Sequence, residues 1–137
     1  MSRSRPTTLV LVGWVLVWAV VAIDAQDGGG NPTAAAVKNP IPSSPKSIDD
    51  GRRLYQTNCR HCHGARGLGD GPLAPTNPSP SNLTDAEWNH GSSDGEIFAL
   101  ISNGAGPDSQ MKAMKTKLSA SDIWNVVNYI RSLGSTR

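Results

Sequence analysis

Three stretches of the chain space their apolar residues as an amphipathic helix does, and one near the N-terminus is apolar throughout. The first helical stretch carries Ile48, Gly51, Leu54 and Tyr55 on one face and runs into Cys59. Ser47 can cap it, and Asp49 and Asp50 suit the positive end of its dipole. The second, Asp94 to Ser102, opens on the capping-box pattern Ser93-Asp94-Gly95-Glu96 and brings Ile97, Leu100 and Ile101 to one side. Asn103-Gly104 stops it. The third opens at Ser119-Ala120-Ser121-Asp122 and carries Ile123, Val126, Val127, Ile130 and Leu133, with Gly134 suited to the position after its end. Between Gly64 and Leu83 glycines and prolines recur, which predicts a loop wrapped around something. No stretch reads as a strand, so the pattern predicts an all-α domain with long ordered loops.

The apolar run from Leu9 to Ile23 follows Arg3 and Arg5 and holds no charge. It has the make-up of a secretory signal, with cleavage after Ala25. Counted from Thr7 and allowed to tilt, residues 7–23 would also serve as an uncleaved membrane tether. Under both readings residues 1–25 are an export signal or anchor, and the rest of the chain lies in the periplasm, soluble or anchored. Residues 26–46 are rich in Gly, Pro, Ala and Ser without apolar periodicity, which predicts a linker, with an ordered extended arm lying on the domain as the alternative. The folded domain is then 47–137.

Composition narrows the function. Charged residues make up 18% of the chain and aromatic residues 5%, with a formal net charge of +2. That balance lacks the strong basic patch of a nucleic-acid binder. So few large apolar groups in a small domain imply that something other than side chains helps to fill the core. Both cysteines of the chain sit in Cys59-Arg60-His61-Cys62-His63, so they cannot staple a domain by disulfides.

Cys-x-x-Cys-His is a haem-attachment pattern. Two cysteines three apart lie on one side of a helical turn, where their sulfurs can add to the two vinyl groups of one haem. The next residue, His63, then projects its imidazole toward the iron. A zinc site would need four ligands, usually from two separated pairs, and only one pair exists. A thioredoxin-like redox pair expects a preceding strand, whereas a capped helix precedes Cys59. One covalent haem c with its iron therefore accounts best for the motif.

From about Asp49 to Leu133 the chain resembles a class I c-type cytochrome, of the bacterial single-haem kind. The matching pieces are Gly51-x-x-x-Tyr55-x-x-x-Cys59-x-x-Cys62-His63-Gly64, Gly67-x-Gly69-Asp70-Gly71-Pro72 and Ile101-x-Asn103-Gly104. They continue with Met111 before Leu118-Ser119, Asp122-Ile123-Trp124, and Tyr129-Ile130-x-x-Leu133. The resemblance implies a cytochrome c fold in which the first and last helices cross, with Gly51 and Tyr129 at the contact. It implies that the Pro72 carbonyl accepts a hydrogen bond from the haem histidine, with Pro75 as the second candidate. It also implies a methionine as sixth iron ligand. Met111 has the family's spacing to Leu118, but Lys112 stands where the family usually has proline, which leaves Met114 open.

His/Met ligation closes the iron, so the expected activity is single-electron transfer between redox protein partners, not enzymatic turnover of a small-molecule substrate. The rivals, a peroxidase-like enzyme and a gas-sensing haem protein, both need a vacant or labile distal position. Lys112, Lys115 and Lys117 flank the methionine stretch, either as a solvated charge run or as a surface that steers an acidic partner. His61 and His90 read as solvent-facing. Trp88 is a candidate for the haem pocket or for a bond to a haem carboxylate, and Trp124 for the helix core.

Overall fold

The computed structural model describes residues 30–134. The apolar N-terminal run, cleavage site or anchor included, lies outside the described residues. The elements are α1 (Pro32–Ala35), α2 (Pro45–Asn58), α3 (Arg60–His63), α4 (Asp94–Asn103) and α5 (Ala120–Gly134). Among the described residues there is no strand, as the pattern predicts. No helix among them is long and apolar enough to cross a membrane.

Helix α2 begins one turn's edge earlier than the expected Ser47 cap. Ser44 is the N-cap: its side chain accepts from the Ser47 backbone N–H at 3.1 Å, while the Ser44 N–H donates to Ser47 Oγ at 3.0 Å. Pro45 fits the first helical position, because its missing N–H would have no partner there. Helix α4 follows its predicted capping box, with Ser93 and Glu96 exchanging bonds. The buried Glu96 carboxylate also accepts from the Ser93 hydroxyl at 2.7 Å. The Ser93 backbone and hydroxyl donors together hold its pKa below the ordinary carboxylate value. At α5, Ser119 and Asp122 form the same reciprocal cap.

The core forms where α2 and α5 pack together, with α4 against α5. Tyr55, Ile123, Val126 and Val127 are fully buried there. Burying each such aliphatic side chain contributes roughly 1.5–3 kcal/mol. Gly51 lies directly on α5: a Cβ there would overlap the Asn125 carbonyl and come 2.9 Å from Tyr129 Cβ. Glycine is what lets the two helix backbones approach. Tyr55 and Tyr129 then meet at 5.1 Å between ring centroids, tilted by 57°. Trp124 is core, stacked on Phe98 at 4.1 Å.

The expectation that 26–46 is a free linker does not hold for its described part. Residues 30–44 lie along the domain. Asn39 Nδ2 donates to Asn128 Oδ1 at 2.9 Å, and Asn128 Nδ2 donates to the Ile41 carbonyl and to Ser47 Oγ, each at 3.1 Å. Asn128 is buried on α5, so these bonds satisfy an amide that would otherwise be costly. Gly95 of α4 has no side chain, and the Ala34 and Val37 carbonyls occupy that space. The arm is held by these polar and backbone contacts together with isolated apolar ones at Ala34 and Ile41, which leave no apolar period in the sequence.

Candidate functional site

Cys59 caps the end of α2, and α3 carries Cys62 and His63 immediately after it. The end of α3 is finished by the glycine-rich loop. Gly64 takes φ +80°, a conformation suited to glycine. The N–H groups of Gly69, Gly71 and Leu73 donate to the carbonyls of His63, Cys62 and His61 at 2.9, 3.0 and 2.8 Å. These bonds satisfy the carbonyls a short helix leaves open. The buried Tyr55 hydroxyl donates to the Gly64 carbonyl at 2.8 Å and ties the turn to the core. The motif is therefore held by both flanking segments.

Cys59, Cys62 and His63 line one cavity of about 420 Å³. Met111 and Met114 line it too, with Leu83, Trp88, Ile97, Leu100, Ile101 and Ile130 among the apolar wall residues. Such a volume is within the roughly 300–1,000 Å³ of typical ligand sites. Burial, and secondarily the neighbouring Cys62 thiol, push the Cys59 thiol up to about 11. A thiol so placed is protonated at neutral pH and is a poor free-thiolate redox centre. A neutral thioether suits the same site. Burial also lowers the His63 pKa, against a smaller opposing effect of its bond to Ser81, so the imidazole is favoured neutral, the form that ligates a metal.

The structure corrects one site residue. His63 Nδ1 lies 3.3 Å from the Ser81 carbonyl. Pro72 is exposed and does not line the cavity, whereas Pro75 does. The Pro72 role fails because the loop bonds back onto α3 through Gly71 and Leu73, while the chain comes under the imidazole only near Ser81. With Nδ1 engaged by Ser81, Nε2 is the nitrogen left for the cavity, and the carbonyl fixes tautomer and ring orientation. Sequence reasoning missed Ser81 because a backbone acceptor has no side-chain signature.

Both methionines reach the site, held differently. The Met111 N–H donates to Ser109 Oγ at 3.1 Å and its carbonyl accepts from Ala105 N–H at 3.1 Å, within the 104–111 loop. The Met114 N–H donates to the Ile101 carbonyl of α4 at 3.0 Å, and its carbonyl accepts from Lys117 and Leu118. His61 is exposed outside the cavity, and His90 is exposed at its lining. The two cysteines, the neutral imidazole, the apolar walls and the two thioethers fit an attached haem.

Comparison with known proteins gives the family. The family described as cytochrome c oxidase, cbb3-type, subunit III, matches residues 46–130. The chain belongs to that family. It is a class I c-type cytochrome domain with the all-α cytochrome c fold, it carries one haem c with its iron, and it transfers electrons through that haem. The FixP subunit of the cbb3-type cytochrome c oxidase of Azorhizobium caulinodans is 31% identical over 93 residues, covering 68% of this cytochrome and 29% of the relative. The CcoP subunit of the Rubrivivax gelatinosus oxidase is 31% identical over 94 residues, covering 68% and 28%. The chain thus spans under a third of the length of these relatives. Among solved structures, it is similar to the Kuenenia stuttgartiensis reducing HAO-like protein complex Kustc0457/Kustc0458, with a TM-score of 0.62, 25% identity, and coverage of 71% of this chain and 49% of that one. It is also similar to cytochrome cL of Methylophaga aminisulfidivorans, with a TM-score of 0.55, 26% identity, and coverage of 66% and 57%.

Proposed function

We propose that this cytochrome is a single-electron carrier whose haem is bonded to Cys59 and Cys62 and ligated by His63 and Met111. It serves exported redox protein partners, either on its own or as the cytochrome subunit of a respiratory or dehydrogenase complex, and is not itself an enzyme. One observation carries the reading: the two cysteines, the Ser81-oriented imidazole and a thioether on a separate loop all meet one apolar cavity. A thioether opposite imidazole leaves no open coordination position, and an apolar surround with thioether ligation favours reduced iron. Among the described residues that line the cavity, no hydrogen bond joins a histidine or lysine to a serine hydroxyl or cysteine thiol. The described domain starts at an arm that follows the apolar run of residues 7–23, which supports a periplasmic carrier, either freed by cleavage or tethered.

The basic residues of the methionine stretch divide. Lys115 Nζ donates to Asn103 Oδ1 at 3.0 Å, whereas Lys112 and Lys117 are exposed and line the cavity. By contrast, the cations of α2 are paired with Asp49 and Asp50. Lys112 and Lys117 thus place positive charge where electrons would enter or leave, and steer an acidic partner to it. Hexacyanoferrate(III), an anionic oxidant, serves as the probe in stopped-flow oxidation of the reduced protein. Its rate falls severalfold as ionic strength rises from about 0.01 to 0.15 M, where the screening length shortens from about 30 to 8 Å. The Lys112→Gln/Lys117→Gln double variant is slower and less salt-sensitive. A wild-type rate indifferent to salt overturns the steering role.

A further inference from the structure

Trp88 forms part of the cavity wall from an irregular loop, residues 84–92. Its local bonds include the Thr84 N–H donating to Asn82 Oδ1, just before the loop, and the Glu87 N–H donating to Asp85 Oδ1 within it. Such turns shape the loop but do not place it on the domain. One side chain of α5 ties it there, beside the Ser92 backbone bond to the Glu96 carboxylate of α4. Arg131 Nε donates to Asp94 Oδ1 in the first turn of α4 at 2.7 Å. A terminal nitrogen of the same guanidinium donates to the Ser92 carbonyl. Its central carbon lies 5.7 Å from the centroid of the Trp88 ring. One planar group therefore joins α5, the start of α4, the end of the loop and the indole face.

Arginine suits this position for a specific reason. Its separate N–H groups reach two acceptors in fixed directions while its face meets an aromatic ring. Lysine offers one point charge and no plane. The Arg131 and Asp94 side chains keep over a third of their surface exposed, at 38% and 37%. Their ion pair is therefore a modest stabiliser. What the arrangement supplies is geometry at the cavity wall.

We propose that Arg131 is a positioning residue that holds Trp88 as a fixed wall of the haem cavity and so limits the access of water to the cofactor. This rests on the c-type cytochrome reading. Solvent exposure and local polarity set haem potentials, with a drier pocket favouring the reduced, less charged iron. A loosened wall admits water and lowers the potential.

The test is spectroelectrochemical titration of the haem-loaded wild type and of Arg131→Lys, Arg131→Met, Trp88→Ala and the Arg131→Lys/Trp88→Ala pair. Arg131→Lys keeps the charge, so a purely coulombic effect leaves its midpoint at the wild-type value. The clamp predicts that Arg131→Lys shifts the midpoint negative, as Trp88→Ala does. It also predicts that the double variant shifts no further than Trp88→Ala alone, because both changes release the same wall. A wild-type midpoint in Arg131→Lys, or fully additive shifts in the pair, overturns the proposal. Since Arg131→Lys is conservative, the test stands even where Arg131→Met fails to fold. A wild type that carries no covalent haem would instead overturn the cytochrome reading itself.

Discussion

Replacing Cys59 and Cys62 together by alanine yields a chain with no haem attached after denaturation, and one that folds poorly. The first half follows from chemistry, since the chain has no other cysteines and no other thioether can form. The second follows from where the core lies. The wall residues Ile97, Ile101 and Ile130 also belong to the buried cluster built around α5. Without haem, the apolar wall of a cavity of about 420 Å³ loses its packing partner, and a domain held by only about 5–15 kcal/mol is sensitive to such a loss. Single replacements leave one thioether, so they retain covalent haem in lower yield and lose less helix. Denaturing electrophoresis with haem staining reads the attachment, and far-ultraviolet circular dichroism reads the fold. A double variant that keeps wild-type helicity would show that the cofactor is not part of the core.

The second large effect is expected at the distal side. Met111→Ala loses the iron–sulfur charge-transfer band of the oxidised protein. Its midpoint falls by tenths of a volt, within the roughly 0.8 V over which axial ligands set haem potentials. Met114→Ala keeps the band and shifts the midpoint little. Both sulfurs line the cavity, so proximity does not separate them; the separation comes from the spacing of Met111 to Leu118. Met114 is pinned between Ile101 and the turn into α5, as a packing residue is, whereas Met111 stands on the loop that closes over the cavity. Loss of the band in Met114→Ala alone would reverse the assignment.

Much of this was legible in the residues. The cysteine motif, the two capping boxes and the apolar period of α5 depend on side chains at short spacing, and the structure places them as the pattern predicts. Gly51 was legible only through the family's crossing of first and last helices, because an absent side chain does not announce what it makes room for. Two features were hidden for a common reason. The arm of residues 30–44 docks through Asn39, Ile41 and backbone carbonyls, so its composition reads as linker. The orientation of His63 depends on the Ser81 carbonyl, a group every residue owns. The residue across the face of Trp88, Arg131, is 43 positions away in the chain, so no local spacing points to it.

Ligands on both sides of the iron would make the protein a carrier of electrons and not a site of chemistry. Mixing the reduced wild-type protein with carbon monoxide at neutral pH tests for such ligation most directly. With His63 and Met111 both bound, the spectrum stays that of the reduced cytochrome on the mixing timescale, and Met111→Ala forms the carbonyl complex at once. Rapid formation of that complex by the wild type would contradict the account and point to an open iron.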